Sequence, residues 1–387
     1  MKRKKLTASM IALVMSVSLP MTTYAANWYL EDGSVTVNAD NSGQTVTQGS
    51  GSAVPDEAPV ITQRESSVET GNTIAINASD NATANVTIKD INIKSSNDAI
   101  DVKGSSSANI TLEGDNKIFS ETGSALHVSD GNVTINGSGS LKAEIQDDLG
   151  SDYNHNAKIG SHEKEAMSGN IHITGDATVK TDDNIAPNCG GDGAGIGSGE
   201  DGEMSGNIVI DGNAQVEVSS NDRGAGIGSG DDGNLSGNIM IGGNAQVSAT
   251  GAENSAGIGT GDDGNFTGSI TMDGNARVTA KAGGDHNGSD GSGIGTGDEG
   301  KFTGTVTIGG NAAVVAAGSD EGCGIGSSDW KYMNGIIIIR DHAKVTAYAG
   351  NCGAAIGSED EWDMTGKIII VGNAIVNTGV VDDAGNV

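Results

Sequence analysis

A short motif recurs along most of this chain at a nearly constant spacing, and that spacing constrains the fold more than any other feature. The motif is Gly-Ile-Gly, and we call its isoleucine the marker. Most markers are 31 residues apart, with steps of 36 and 37 residues where insertions occur. They lie at Ile196, Ile227, Ile258, Ile294, Ile325 and Ile356, with a degenerate copy at Ile159. A period of this length is typical of stacked units that cannot bury their apolar faces alone.

Equivalent positions of each unit carry the same residue types. The residues one and ten positions after the marker are always glycine, which suits corners with positive φ or close backbone approach. Apolar residues stand 12 and 14 positions after the marker, alanine 18 after and valine 20 after. This alternation predicts three short strands per unit and no helix. The chain is therefore predicted to be all-β, a right-handed parallel β-helix in which each strand pairs with its copy in the next coil.

Two further expectations concern the interior and the turns of this solenoid. Columns of Ile, Ala and Val predict a narrow core with little room for rings, in keeping with an aromatic content of 3%. An asparagine often stands 17 positions after the marker, as at Asn213 and Asn244. We expect it to adopt the left-handed conformation of a turn and to bond with its copies along the stack.

The chain divides into four regions. Residues 1–25 combine a basic start, a short apolar run and small residues, as secretory signal peptides do, so the protein is expected to be secreted or held at the cell surface. Polar residues 26–70 predict an extended lead-in that caps the solenoid. Residues 71–157 predict shorter coils, with Ile100 and Leu126 in the marker role 26 residues apart. Residues 158–387 hold the 31-residue repeats.

The charge balance excludes some partners. The full chain has 21 basic and 51 acidic residues, and removal of the signal peptide takes away four of the basic ones, leaving a net charge of −34. Such a surface repels nucleic acid and anionic lipid, so neither nucleic-acid binding nor membrane insertion is expected. It attracts cations.

The loop after four successive markers, from Ile196 to Ile294, contains a Gly-x-Gly-x-x-Gly pattern, for example GSGDDG at 228–233. In dinucleotide-binding proteins this pattern occurs once, between a strand and a helix. Here it recurs in successive units and is followed by strands, so a nucleotide site is not expected. The pattern belongs to the repeat.

The same loop predicts stacked carboxylates. Positions four and five after the marker are acidic in most units, and copies in neighbouring coils lie about 5 Å apart. Such charges repel by about 0.8 kcal/mol even in bulk water. Bridging Ca²⁺ would relieve this repulsion, and a solvated acidic ridge is the alternative. The candidate calcium ligands are Glu200, Asp201, Asp231, Asp232, Asp262, Asp263, Asp298 and Glu299.

Aromatic residues gather in this loop in the last two units. Trp330, Tyr332 and Trp362 lie five, seven and six positions after their markers. Adjacent exposed rings could receive the apolar face of a sugar, with its hydroxyls bonded to nearby carboxylates. The candidate carbohydrate site adds Asp329, Asp360 and Glu361 to the three rings. The alternative is that the rings cover a ragged edge of the solenoid.

Catalysis has little support in the sequence. No column repeats a histidine, and no nucleophile–histidine arrangement can be placed. A carboxylate pair repeated in most coils indicates architecture more readily than a unique hydrolase site. We therefore expect a protein that is not an enzyme, with a polysaccharide lyase as the less favoured reading.

Three segments resemble a known family. The runs NVTIKDINI, DAIDVKGSSSANITLEGDNKI and GNVTINGSGSLKAEI, within about residues 70 to 190, resemble secreted carbohydrate-binding β-helix domains of clostridial-type bacteria. The resemblance implies a right-handed parallel β-helix that binds cellulose or pectic polymers and carries calcium. None of the family's individual ligands matches a position here.

Two functions follow as expectations. The first is binding of a polysaccharide, with calcium assisting. The second is a structural or adhesive cell-surface solenoid without a specific ligand. One repeat length after Ile356 falls on Val387, so we expect either end-to-end association or continuation of the array at that end.

Overall fold

A computed structural model describes seven stretches of the chain. They are residues 26–79, 81–146, 153–181, 191–284, 289–328, 332–358 and 364–381. The predicted signal peptide lies outside the described residues. Within them the chain is all-β apart from one 3₁₀ turn at Leu30–Asp32, and no helix is long and apolar enough to cross a membrane.

The strands follow one another along the chain in three groups. The N-terminal region contains β1 (Asn27–Tyr29), β2 (Val35–Asp40), β3 (Gly43–Gln48), β4 (Val54–Pro55) and β5 (Val60–Thr62). The short coils contain β6 (Ile74–Ala78), β7 (Thr83–Lys89), β8 (Asn92–Ser95), β9 (Ile100–Val102), β10 (Ser107–Glu113), β11 (Asp115–Ser120), β12 (Leu126–Val128), β13 (Asn132–Gly137) and β14 (Ser140–Ile145). The repeat array contains β15 (Ile159–Gly160), β16 (Asn170–Ile173), β17 (Thr178–Thr181), β18 (Ile196–Gly197), β19 (Asn207–Ile210), β20 (Gln215–Ser219), β21 (Ile227–Gly228), β22 (Asn238–Ile241), β23 (Gln246–Thr250), β24 (Ile258–Gly259), β25 (Ser269–Met272), β26 (Arg277–Lys281), β27 (Ile294–Gly295), β28 (Thr305–Ile308), β29 (Ala313–Ala317), β30 (Ile325–Gly326), β31 (Ile336–Ile339), β32 (Lys344–Ala349), β33 (Ile356–Gly357), β34 (Lys367–Ile370) and β35 (Ile375–Val380).

From β6 onward, each coil contributes one strand to each of three long sheets, which is the predicted parallel β-helix. The marker sheet has 13 strands and runs from β33 through β15 to β6, β2, β3 and β4. The second sheet has 12 strands from β1 to β34, and the third has 10 strands from β8 to β35. Pairing is in register, so Ile196 lies beside Ile227, and Ile227 beside Ile258.

The core consists of the predicted columns and one column that sequence analysis missed. Marker isoleucines and the alanine and valine columns are buried along most of the array. Eight positions after the marker, a further buried column forms isolated bridges from coil to coil. Its members are Met167, Met204, Leu235, Phe266, Phe302 and Met333. Phe266 and Phe302 pack edge to face with ring centroids 4.9 Å apart. The expectation that the core has little room for rings is therefore wrong at these two coils.

The two invariant glycine columns have different physical causes. Gly228, one position after its marker, has φ +144, and a Cβ there would lie 1.8 Å from the Gly259 carbonyl oxygen. Gly206, ten positions after its marker, has no positive φ, but a Cβ would lie 1.7 Å from the Gly169 carbonyl oxygen. The first column needs both glycine's backbone freedom and its missing side chain, whereas the second needs only the missing side chain.

The asparagine ladder is confirmed, but the predicted conformation of its members is wrong. Side-chain amides of Asn244 and Asn275 each donate to the carbonyl of the asparagine one coil earlier over 3.0 Å. The left-handed residue of the turn is the preceding glycine, as at Gly212 with φ +65. Glycine takes this conformation without a Cβ penalty, which leaves the asparagine side chain available for the ladder.

The lead-in predicted for residues 26–70 contributes strands to the sheets. β2 pairs with β6 in parallel and with β3 antiparallel, so parallel stacking of the marker sheet ends at β2. The Gln44 amide bonds to the carbonyls of Asp56 and Asn85, and the Trp28 indole donates to Asp56 over 2.8 Å. These contacts fasten the antiparallel strands to the first coils, as a cap on a sheet edge requires.

Candidate functional site

The predicted aromatic platform lies almost wholly outside the described residues. This holds for Asp329, Trp330, Asp360, Glu361 and Trp362. Tyr332 is described and is 39% exposed. An accessible ring is what a sugar platform requires, and the platform itself stays a prediction.

The two acidic columns occupy the same turn in successive coils but face different environments. Asp231 and Asp262, four positions after their markers, are buried, and their equivalents Glu200 and Asp298 are half-buried. The column five positions after the marker is exposed and adopts positive φ. Its described acidic members in the array are Asp201, Asp232, Asp263 and Glu299, with φ between +48 and +57. One column therefore points toward the protein and the other toward solvent.

Local backbone chemistry explains part of this arrangement. The carboxylates of Asp231 and Asp262 each accept the backbone N–H of the following aspartate, over 3.1 and 3.0 Å. A short acidic side chain that bonds the next peptide group and a following residue that tolerates the left-handed region are typical of such turns. Both columns thus have a conformational role that needs no metal ion.

A second column, four positions before the marker, faces the buried carboxylates. Backbone N–H groups of the acidic column donate to carbonyls of this facing column in the preceding coil, for example Asp231 to Asp192 over 2.9 Å and Asp262 to Arg223 over 3.1 Å. The described members of the facing column through the array's fifth coil are His155, Asp192, Arg223, Asn254 and Asp290. Its residues vary, so the charge facing each carboxylate changes from coil to coil.

The partners in the facing column do not fully neutralise the buried acids. Burial raises the pKa of Asp231, and repulsion from Asp262, Asp192 and Asp232 adds to it, so the pKa reaches about 8. Burial raises the pKa of Asp262 to about 6, against a hydrogen bond from Asn254 that lowers it. Arg223 lowers both pKa values without offsetting these effects, so added positive charge would favour the ionised carboxylates in this loop.

We expect Ca²⁺ to stabilise the protein, because it would supply that positive charge at the predicted ligands. The melting temperature should be higher in millimolar Ca²⁺ than in EDTA at matched ionic strength. Asp231→Asn with Asp262→Asn should shrink the difference, while Asp176→Asn, an exposed aspartate of another turn, should leave it unchanged. Equal melting temperatures in Ca²⁺ and EDTA would leave the solvated ridge as the explanation.

Two clusters of histidine and carboxylate arise where the short coils meet the array, and sequence analysis found neither. In the first, the rings of His127 and His162 stack with centroids 3.9 Å apart. Both nitrogens of His127 are occupied, by Asp101 over 3.0 Å and Glu165 over 2.9 Å. Burial lowers the pKa of His127, but these two hydrogen bonds outweigh burial and raise the pKa to about 9. His127 is therefore an imidazolium clamped between carboxylates.

The second cluster joins the facing column to the acidic column. Nδ1 of His155 lies 2.9 Å from Asp192 Oδ2 and 2.7 Å from Glu200 Oε2. These three atoms converge within the reach of one metal ion. Glu200 was predicted as a metal ligand, whereas His155 and Asp192 were not.

The outer face of the third sheet forms a long open groove. Its side chains come from two outward columns, 19 and 21 positions after the marker, on strands β17, β20, β23, β26, β29 and β32. The groove has a volume of about 590 Å³. It holds three cationic side chains, Lys180, Arg277 and Lys344, against one acidic residue, Glu217. Between them lie amides and hydroxyls, among which are Gln215, Gln246, Ser248, Thr279 and Thr346.

The cations of this groove are not all balanced locally. Lys180 pairs with Glu217 in the neighbouring strand. Arg277 and Lys344 share one outward column two coils apart, with the small Ala313 between them. Neither forms an ion pair with any residue that the structure describes. In a chain of net charge −30, this face is a local concentration of positive charge.

Comparison with known proteins gives no independent guide: no protein-family model, curated protein or solved structure matches this chain.

Proposed function

We propose that this protein binds an acidic polysaccharide along the groove of the third sheet. The observation that carries the proposal is the pair of cations, Arg277 and Lys344, that stands without an ion-pair partner among the described residues. Scattered surface cations would be ordinary. Two in one column of a groove, on a chain with 51 acidic residues, are a specific feature.

The groove suits an extended polymer in shape and periodicity. Parallel strands repeat about every 4.8 Å, so its polar side chains form regular rows across six coils. The two cations are thus about 10 Å apart along the solenoid axis. Carboxylates recur along a linear polyuronide, and two of them can meet two cations of such a row.

Hydrogen-bonding groups complete the recognition surface. Ser248 and Gln246 are exposed on β23, and on the neighbouring strand β26 Arg277 lies beside Gln246 and Thr279 beside Ser248. Hydroxyl and amide groups both donate and accept, as sugar hydroxyls require. No aromatic side chain lines the described groove, so affinity should depend on charge and hydrogen bonds and should fall as salt is raised.

We expect reversal of the two cations to abolish most of this binding. The variant Arg277→Glu with Lys344→Glu should bind immobilised polyuronate at least tenfold more weakly, a loss of about 1.4 kcal/mol or more. Lys301→Glu with Lys367→Glu changes net charge equally at exposed sites outside the groove and should bind like the wild type. Affinity chromatography on polyuronate, with a neutral glucan as the parallel matrix, measures both.

The same experiment distinguishes the groove from the aromatic loop. Trp330→Ala with Trp362→Ala tests the predicted platform. If these changes abolish retention while the groove variant is retained normally, binding belongs to the loop and the groove proposal fails. If no variant differs from the wild type, and the wild type itself is not retained, the protein has no affinity for this class of glycan.

A further inference from the structure

We propose that His155, Asp192 and Glu200 form a binding site for a divalent first-row transition ion such as Zn²⁺. This inference is independent of polysaccharide binding. It also differs from the calcium prediction, because it concerns a single place in the solenoid, where two adjacent coils meet, and includes a nitrogen ligand.

The backbone places the three side chains together. The Glu200 N–H donates to the His155 carbonyl over 3.0 Å, and the Asp231 N–H donates to the Asp192 carbonyl over 2.9 Å. Gly191 packs so closely on the coil below that a Cβ would lie 1.6 Å from the Asn154 carbonyl oxygen. His155 and Asp192 therefore occupy equivalent positions of adjacent coils, and Glu200 approaches from the facing acidic column.

The geometry places one imidazole nitrogen between two carboxylate oxygens, as a metal site requires. His155 Nδ1 lies 2.9 Å from Asp192 Oδ2 and 2.7 Å from Glu200 Oε2, and the Asp192 backbone N–H donates to it over 3.4 Å. Zinc binds His nitrogen and carboxylate oxygen at about 2.0 to 2.2 Å. A slight widening of the cluster would admit the ion among these three atoms.

A second observation also favours a cation at the Asp192 carboxylate. Asp192 Oδ1 is buried and has no hydrogen-bond partner among the described residues. Burial raises the pKa of the Asp192 carboxyl, and repulsion from Asp222 adds to it. A buried polar atom without a partner is unusual. Because Oδ1 is the oxygen that does not contact His155, a cation bound by both oxygens of this carboxylate would give it a partner.

The donor set selects the class of ion. Imidazole favours zinc and its first-row neighbours, whereas sites made only of oxygen favour calcium and magnesium. The ligand side chains are between 14 and 23% exposed, so water can complete the coordination. Three protein ligands with an open position are typical of accessible zinc sites.

The other histidine cluster is a poorer candidate. His127 already has a carboxylate on each nitrogen, and the raised pKa of about 9 keeps its ring protonated at neutral pH. A metal ligand must be neutral imidazole. We therefore expect that loss of the His155 ring weakens metal binding, whereas loss of the His127 ring does not.

The test is a calorimetric titration of untagged, chelator-treated protein with Zn²⁺. We expect one ion per chain, at least tenfold weaker binding in His155→Ala and in Asp192→Asn, and no change in His172→Ala. His172 is the matched control because it faces a carboxylate, Asp211, over 3.0 Å but belongs to no three-ligand cluster among the residues that the structure describes. Asp192→Asn keeps the side-chain shape, and circular dichroism of each variant reports on folding.

Three results would overturn the proposal. They are no saturable binding by the wild type, undiminished binding by folded His155→Ala or Asp192→Asn, and displacement of Zn²⁺ by an equal concentration of Ca²⁺. Loss of binding in His162→Ala but not in His155→Ala would assign the ion to the other cluster and equally reject the site proposed here.

Discussion

Replacement of Gly259 by valine is expected to break the solenoid in its middle. Gly259 has φ +148, and a Cβ there would lie 1.8 Å from the Gly295 carbonyl oxygen. A conformation that only glycine adopts costs other residues about 1 to 3 kcal/mol, and overpacking costs about 1 to 3 kcal/mol more. Because each coil is stabilised by its neighbours, a coil disrupted between β21 and β27 should uncouple the two halves.

Denaturant unfolding followed by far-UV circular dichroism measures this effect. Gly259→Val should lower the free energy of unfolding by about 2 to 6 kcal/mol and split the transition in two. Gly242→Ala is the matched control, since Gly242 has no positive φ and a Cβ there meets nothing within 4 Å. It should change stability by less than about 0.5 kcal/mol. If Gly259→Val unfolds like the wild type, the marker glycines are not required by the backbone packing described above.

Stability is also expected to fall as pH rises, because His127 is protonated in the folded protein. Burial lowers the pKa of His127, but hydrogen bonds to Asp101 and Glu165 and the nearby Asp98 raise it from 6.5 to about 9. A group whose pKa is higher when folded stabilises fully below its unfolded pKa and loses that contribution as pH rises through its folded pKa. The loss should therefore occur between about pH 6.5 and 9 and amount to about 3 kcal/mol at most.

The variant His127→Gln isolates this contribution. It should lower the free energy of unfolding at pH 6 and differ little from the wild type at pH 10. Asp101 and Glu165 remain, with Lys103 still paired to Asp101 and the ring of His162 beside them. His342→Gln, an exposed histidine elsewhere, is the control. Parallel pH profiles for His127→Gln and the wild type would show that the imidazolium clamp does not stabilise the fold.

The sequence predicts those parts of the fold that repeat. In a solenoid, equal positions become neighbours, so a column of marker isoleucines predicts a buried row, and a column of asparagines predicts a ladder. The buried column from Met167 to Met333 escaped notice because its members differ in type while sharing only size and apolarity. Similarly, the left-handed conformation was expected at Asn213 and not at the glycine before it, because asparagine also tolerates this conformation.

The candidate sites were largely missed because they depend on residues that do not repeat. The Glu200 side chain reaches His155 because the backbone of the acidic column hydrogen-bonds to the facing column of the preceding coil. A comparison of equivalent positions does not reveal this contact, because the two residues are not at equivalent positions. A residue that replaces glycine in one of the glycine columns is a signal of such a site that the sequence does contain. His127 pairs in register with Gly160, and His162 stands three positions after its marker where the next coil has Gly199. Histidine in place of glycine at two adjacent coils indicates a local structure that the repeat alone does not need.

The most direct test of the proposed function is lysine labelling with and without polyuronate, read by mass spectrometry. Lys180 and Lys344 lie in the groove of the third sheet, whereas Lys301 and Lys367 are exposed outside it. If the groove binds the polymer, acetylation of Lys180 and Lys344 should slow severalfold at saturating polyuronate while Lys301 and Lys367 react as before. Unchanged labelling at Lys180 and Lys344, or equal protection of all four lysines, would contradict binding along this face.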